Sequence, residues 1–234
     1  ATTLALGARA TTASTSAFCT NLPTKASDIT AKLNDLTGKV TQAWSQQDQK
    51  LTADEAKVDQ TVTADRARAD AERAADFAKL EAKATTDSEK QAVTTYEATV
   101  KDAVSTRRAA YDAARQTFRD GVKSAITARQ STITGQMSTF QSSASSALAT
   151  AEASCASNAT NGATIRQTLV ASLKSARQTF ESQRQADATV GNQVSQLAAT
   201  RNTAFQTADQ TFKNSMTTAR TALKQAFGNK SSTV

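Results

Sequence analysis

Apolar residues recur along most of this 234-residue chain in steps of three and four that add up to eleven. Eleven residues make three turns at about 3.67 residues per turn, so the apolar stripe stays on one face of a nearly straight helix. One such series runs from Ile29 to Leu80, and a second runs from Val93 to Ala151. The spacing predicts long, near-straight coiled-coil helices and excludes the left-handed supercoil of heptad repeats.

The second series is interrupted only by arginines, at Arg107, Arg115 and Arg129. An arginine stem can lie on apolar surface while its guanidinium reaches water, so these positions do not break the stripe. A third helix begins on a stripe from Ile165 to Phe180, but the stripe that starts at Val194 is shifted by one residue. We expect a local kink or widened turn between them, at residues 184–191.

Turn and capping residues separate three segments. Thr86 with Glu89 forms a capping-box pattern, and the Asn- and Gly-containing stretch at 157–164 is typical of a loop. The predicted helices are therefore about 22–84, 87–153 and 163–228. Short connections make consecutive helices antiparallel. The sequence thus predicts an all-α, elongated antiparallel three-helix bundle: residues 22–234 form a single rod, roughly 90–100 Å long, after an extended N-terminal segment at 1–21.

The two cysteines, Cys19 and Cys155, are 136 positions apart in the sequence. In an antiparallel bundle both lie at one end, because Cys19 precedes the first helix and Cys155 follows the second. A disulfide between them is the favoured pairing; two free buried thiols and an intermolecular bridge are the alternatives. A disulfide implies an oxidising compartment, hence a secreted or cell-surface protein. Since the chain starts at Ala1, we also expect that a preceding segment has been removed.

A helical hairpin with its turn at 83–87 pairs residues whose numbers sum to about 169. This register places Glu55 near Arg115, with both residues on the apolar stripes. We expect a partly buried ion pair there, which would set the register more than it stabilises the fold. In the alternative arrangement, both side chains point sideways into water.

The chain lacks the residues that most catalytic and cofactor chemistries need. The chain has no histidine, no cysteine cluster with zinc spacing and no Gly-rich phosphate loop. Its acidic residues alternate with Lys and Arg at helix-surface spacing, which is typical of a solvated face. We therefore expect no enzyme activity, no cofactor and no metal site. The formal charge of +7 is dispersed singly, which argues against nucleic-acid binding, and no segment has the roughly 20 apolar residues of a transmembrane helix.

The second half of the second helix, STITGQMSTFQSSASSALAT, carries no charge. Small uncharged side chains allow neighbouring helices to pack closely, whereas monomeric proteins usually carry charge on such faces. We therefore expect an exported structural protein, a cell-surface or filament-forming, pilus-like subunit or spacer that self-associates. The predicted interaction surface consists of Ser142, Ser143, Ser145, Ser146, Asn161 and Gly162.

Two other functions compete with this one. Eleven-residue amphipathic repeats also occur in helices that lie on lipid surfaces, so the chain could bind a membrane surface through its apolar stripes. It could also be an adhesin-like module that binds a partner protein through its loop ends, at Asn161 and Gly162 or at residues 83–87. The Ala- and Thr-rich composition generally resembles that of exported bacterial proteins, without a motif that is specific to one family.

Overall fold

A computed structural model describes residues 16–186 and 190–228, and every regular element in them is an α-helix. The helices are α1 (Ala17–Lys83), α2 (Asp87–Ser157), α3 (Gly162–Ala186) and α4 (Val190–Ala226). The all-α class predicted from the sequence is confirmed. The two long apolar stripes lie within α1 and α2, which extend beyond them at both ends.

The prediction of three helices was wrong in number, because the segment expected as one helix over 163–228 contains α3 and α4. The two stripes in this segment are out of phase by one residue, so a single straight helix cannot hold both on its buried face. The kink expected at 184–191 overlaps residues 187–189, which lie outside the described residues.

The helix α1 begins earlier than expected, since residues 17–21 of the predicted extended segment are helical. Ser16 is the N-cap: its Oγ accepts a hydrogen bond from the Cys19 amide at 3.3 Å, and its carbonyl accepts one from Thr20 at 3.1 Å. Pro23 therefore lies inside the helix, where its missing N–H removes a bond to the Cys19 carbonyl. The burial of Leu22, which is 1% exposed, offsets this loss. The rest of the predicted segment, residues 1–15, lies outside the described residues.

The chain divides into two compact units. Unit 1 comprises Ala1–Gln46 and Arg129–Ala188, so its described part contains the first half of α1, the second half of α2, and α3. Its core joins all three helices through the buried residues Leu22, Ala26, Leu148, Ala151, Cys155, Ile165 and Leu169.

Unit 2 comprises Gln47–Ala128 and Thr189–Val234, and thus contains the second half of α1, the first half of α2, and α4. A cluster of the buried residues Ala84, Val93 and Leu223, with the partly buried Leu80 of α1 packed against it, joins its three helices beside the turn between α1 and α2. Each unit is therefore built from three helical segments. That residues 22–234 form a single rod stays a prediction.

The capping box predicted at the turn between α1 and α2 is confirmed. The Glu89 amide donates to Thr86 Oγ1 at 3.2 Å, and the Thr86 amide donates to Glu89 Oε2 at 2.9 Å. At the same end of unit 2, α4 ends before Gly228, which has a φ of 59° that favours glycine. Not every stripe residue is buried: Leu36 and Val58 remain 54% and 48% exposed at the edge of the α1 stripe.

Candidate interaction surfaces

Cys19 at the start of α1 and Cys155 near the end of α2 form a disulfide, with their Cα atoms 5.4 Å apart. The structure thus brings together the two cysteines that the sequence places at a common end. Next to them, the Ser16 amide donates a hydrogen bond to the Ala159 carbonyl at 2.9 Å. The beginning of α1 is therefore held to the end of α2 by a covalent bond and to the loop between α2 and α3 by a hydrogen bond.

Gly162 does not present a surface, although the sequence assigned it to one. It is buried, and a Cβ atom added there would lie 1.9 Å from Ser16 Oγ and 2.6 Å from Ser16 Cβ. The residue is a glycine because α1 begins directly against it. Asn161, which precedes it, is exposed and caps α3, because its carbonyl accepts the Ile165 amide at 3.2 Å.

A shallow groove of about 710 Å³ runs along unit 1 between the second half of α2 and α3. We call it the uncharged groove, because none of its 22 lining residues carries a charge. Its lining includes Phe140 and Phe180, whose ring centroids are 5.6 Å apart. Its small polar residues are Thr139, Ser143, Ser146, Thr150, Ser154, Ser157, Thr164, Thr168, Ser172, Ser175 and Thr179.

The predicted interaction surface divides between the groove and its surroundings. Ser143, Ser146 and Asn161 line the groove, whereas Ser142 and Ser145 are exposed on α2 outside its lining. The sequence therefore identified the uncharged segment, but a helical wheel alone cannot tell which of its serines face the neighbouring helix α3.

The structure does not pair Glu55 with Arg115. Arg115 instead contacts Asp112 at 3.3 Å, and Arg119, one turn further along α2, donates to the Glu55 carbonyl at 3.4 Å. The predicted sum of about 169 was wrong, because the residue numbers in the pair Arg119–Asp59 sum to 178. Side chains lean towards the N-terminus of their own helix, so across antiparallel helices they lean in opposite directions. Contacting residues therefore have a larger sum than residues whose Cα atoms are level.

The contacts between α1 and α2 repeat after eleven residues. Arg108 donates two hydrogen bonds to the carboxylate of Asp70, at 2.9 and 2.8 Å, and one to the Arg66 carbonyl at 3.4 Å. Arg119 binds Asp59 in the same way, at 2.9 and 2.6 Å, and also reaches the carbonyl four residues before the aspartate. Two parallel hydrogen bonds from one guanidinium fix both distance and angle, so each pair sets the register of the hairpin.

Twenty-two residues beyond Arg119, Gln141 occupies the same position in unit 1. Its Nε2 donates to Thr37 Oγ1 at 2.9 Å and contacts the Leu33 carbonyl at 3.4 Å. The geometry of the repeat is kept, but a neutral amide and a hydroxyl replace the guanidinium and the carboxylate. The contact position is thus ionic in unit 2 and neutral in unit 1.

These contacts favour the ionised forms of the Asp70 and Asp59 carboxylates, because they lower the pKa of both. The Arg108 hydrogen bonds, followed by those of Arg73, lower the pKa of Asp70 from 3.8 to about 2. The hydrogen bonds from Arg119 lower the pKa of Asp59 in the same direction. At the capping box, the amides of Thr86 and Thr85 lower the pKa of Glu89 to about 2.

Aromatic and arginine side chains join α2 to α4 in unit 2. The rings of Tyr111 and Phe205 stack with centroids 4.1 Å apart, and the Tyr111 hydroxyl donates to Asp209 at 2.9 Å. Arg107 binds the same aspartate at 2.9 Å, and its guanidinium carbon lies 4.9 Å from the centre of the Phe212 ring. The sequence contains a signal for this cluster, because aromatic and arginine residues occur together on the stripes. It does not indicate which of these residues contact each other.

Unit 2 also contains a larger groove of about 1380 Å³, lined by α1, α2, α4 and the residues that follow α4. We call it the apolar groove, and we call the aliphatic and aromatic residues that line it its floor. Charged residues make up 13 of its 27 lining residues, and those of α1 and α4 include Lys83, Arg220 and Lys224. No feature of the sequence predicted this groove.

The described residues contain no group of three or more Cys, Asp or Glu side chains placed to hold a metal ion. Within the same part of the chain, no helix has a stretch that is both long and apolar enough to span a bilayer.

Comparisons with protein-family models, with curated proteins and with solved structures find no significant match to this chain.

Proposed function

We propose that this chain is an exported structural protein that self-associates by helix packing and forms a cell-surface or filamentous, pilus-like assembly. The uncharged groove of unit 1 is the observation that supports this function. It extends along α3 from Thr164 to Gln183, which is a length of roughly 30 Å. The chain acts as a subunit or spacer, and it is not an enzyme.

The chemistry of the uncharged groove suits contact with another helix. Association there removes no charged group from water, so the cost of desolvating ions does not arise. Serine and threonine hydroxyls can remain bonded to their own helix, as Thr150 Oγ1 is to the Ser146 carbonyl at 2.9 Å. Phe140 and Phe180 contribute apolar surface to the same face.

The disulfide supports export, because such bonds persist in oxidising compartments. It holds the Cys19 end of α1 at Cys155. A subunit exposed outside the cell gains from a covalent tie because it cannot rely on intracellular chaperones.

Sedimentation velocity over a range of protein concentrations, combined with negative-stain microscopy, tests this function. We expect assemblies to form from the native chain and from a control with Ser142→Glu and Ser145→Glu, which lie outside the groove lining. The variant with Ser143→Glu and Ser146→Glu should remain monomeric, because it places charge within the interface. A native chain that stays monomeric at every concentration contradicts the proposal.

A further inference from the structure

We propose that the apolar groove of unit 2 binds a single long-chain fatty acid. Its acyl chain lies along the apolar floor, and its carboxylate lies at the end of the groove formed by Lys83, Arg220 and Lys224. This ligand site goes beyond the proposed self-association and does not depend on it.

The floor of the groove offers apolar surface that the folded chain leaves partly in water. Phe77 and Val100 are buried, whereas Tyr96, Phe212 and Met216 on the same floor are half-buried. Covering such surface is the main driving force for binding an apolar ligand. A volume of about 1380 Å³ exceeds the roughly 300–1,000 Å³ of ordinary small-molecule pockets, so there is room for one extended acyl chain.

Most arginines along the groove already have partners. Arg66 binds Asp112 at 2.7 Å, Arg108 binds Asp70 at 2.8 Å, and Arg107 binds Asp209 at 2.9 Å. These cations are neutralised within unit 2. The long walls of the groove therefore offer little net attraction to an anion.

One end of the groove is different. Among the described residues, Lys83, Arg220 and Lys224 have no ion-pair or hydrogen-bond partner, and all three line the groove. They lie at a common end, because Ala84 next to Lys83 packs in one cluster with Leu223 next to Lys224. Three cations beside an apolar cluster form a binding site for a carboxylate.

Glu89 also lines this end, but its carboxylate is already engaged. Its Oε2 accepts hydrogen bonds from the amides of Thr85 and Thr86, both at 2.9 Å, as part of the α2 cap. It therefore does not pair with the three cations. Their combined charge of three exceeds its single negative charge.

The distribution of charge favours a fatty acid over an acidic helix. An acidic helix would place carboxylates along the whole groove, where most of the cations already have carboxylate partners and offer no new ion pair. A fatty acid has one charged head and a long apolar tail. This matches a groove with unpartnered cations at one end and an apolar floor along its length.

Isothermal titration of the oxidised full chain with palmitate, below the concentration at which palmitate forms micelles, tests the proposal. The head-group variant carries Lys83→Gln, Arg220→Gln and Lys224→Gln. The matched control carries Lys57→Gln, Lys90→Gln and Lys213→Gln, which remove the same charge from exposed positions of unit 2 outside the groove lining. A floor variant carries Met216→Gln. Two further measurements are made on the native chain. One is titration with hexadecyltrimethylammonium, a cationic amphiphile, and the other is flotation with phosphatidylglycerol–phosphatidylcholine vesicles.

We expect palmitate to bind in a one-to-one ratio. The head-group variant should weaken binding by about tenfold or more, as expected from the loss of charge-assisted hydrogen bonds. The floor variant should also bind more weakly, and the control should bind as the native chain does. Absence of binding, equal weakening in the head-group variant and the control, equal affinity for the cationic amphiphile, or binding to vesicles without binding to palmitate would each overturn the proposal.

Discussion

Unit 1 and unit 2 are both built from a half of α1, a half of α2 and one further helix, yet they hold these helices together by different means. Unit 1 has 14 charged residues among 106, and unit 2 has 35 among 128. In the described part of unit 1, the ion pairs Lys39–Asp35 and Arg177–Glu181 lie within single helices. In unit 2, ion pairs join α1 to α2 and α2 to α4.

One contact position between α1 and α2 occurs in both units and shows how residue type changes the character of the interface. Arg119 with Asp59 in unit 2 and Gln141 with Thr37 in unit 1 occupy equivalent positions, two eleven-residue steps apart. The spacing of the sequence sets which residues meet, and the residue types then decide what the surface can do. Unit 2 gains a charged, register-defining seam, whereas unit 1 keeps a neutral face that can pack against another helix.

The two units are also closed differently. The disulfide Cys19–Cys155 ties α1 to α2 in unit 1, whereas a tight turn with a capping box joins them in unit 2. Each of the following changes alters one unit and leaves the other as its internal control.

Removing the disulfide should have the largest effect. Replacement of Cys19 and Cys155 by serine removes a cross-link between residues that are 136 positions apart. In the chain-entropy model, closing a loop of this length adds about 4–5 kcal/mol to the free energy of unfolding. We expect trypsin to cleave the variant faster at Lys25, Lys32 and Arg166 in unit 1, with little change in unit 2. Equal acceleration in both units would show that the bond stabilises the chain as a whole.

Shortening one core leucine in each unit compares the two cores. Leu22 is 1% exposed and packs within a cluster of seven buried residues, whereas Leu223 is 6% exposed and packs within a cluster of three. Leucine-to-alanine changes in cores cost about 2–5 kcal/mol, and more where the cavity is better enclosed. Urea denaturation should therefore show a greater loss for Leu22→Ala than for Leu223→Ala. The reverse order would mean that the core of unit 2 is the tighter one.

Glycine substitutions should change stability in opposite directions. Gly162→Ala should destabilise unit 1 by about 1–3 kcal/mol, because the new methyl group overlaps Ser16. Gly135→Ala meets nothing within 4 Å and should stabilise α2 by about 0.5–1 kcal/mol. Thermal melts followed by circular dichroism measure both. A neutral Gly162→Ala would show that α1 can begin elsewhere.

The cap of α2 should contribute less to stability than the disulfide and the core leucines do. Thr86→Ala removes the side-chain acceptor for the Glu89 amide and should cost about 1 kcal/mol. Thr94→Ala, an exposed position within the same helix, is the matched control. Urea unfolding of both variants measures the difference. If they lose the same stability, the cap contributes nothing measurable.

Acid should weaken unit 2 before unit 1, and this is the smallest effect. The folded pKa of Asp70 is about 2 against an ordinary value of 3.8. Its stabilisation is therefore complete above the ordinary pKa and is lost as the pH falls through about 2. Amide exchange measured at decreasing pH, after correction for the intrinsic rate, should show the loss of protection around Asp70 and Asp59. High salt should reduce the difference. Equal loss around Gln141 would contradict the ionic basis of the contrast.

Sequence reasoning identified the elements whose signals are local or periodic. The eleven-residue stripes predicted α1 and α2, the Thr86–Glu89 pattern located their turn, and hairpin topology alone brought Cys19 towards Cys155. It misplaced the start of α1 at about residue 22, whereas Ser16 is the N-cap and the helix begins at Ala17.

The misses concern side-chain direction and the spacing between helices. The Glu55–Arg115 pair failed because side chains lean along the helix, an effect that Cα levels ignore. The contact of Gly162 with Ser16 and the two grooves depend on how closely neighbouring helices approach. That distance follows from the packing of many side chains, and no single motif in the sequence encodes it.

Hydrogen exchange of the native chain as a function of concentration tests most directly whether unit 1 carries the self-association surface. We expect residues 139–150 of α2 and 164–176 of α3 to gain protection as the concentration rises, while residues 62–80 and 212–223 in unit 2 do not change. Protection that is independent of concentration, or that rises in unit 2 instead, would contradict the assignment of the interface to the uncharged groove.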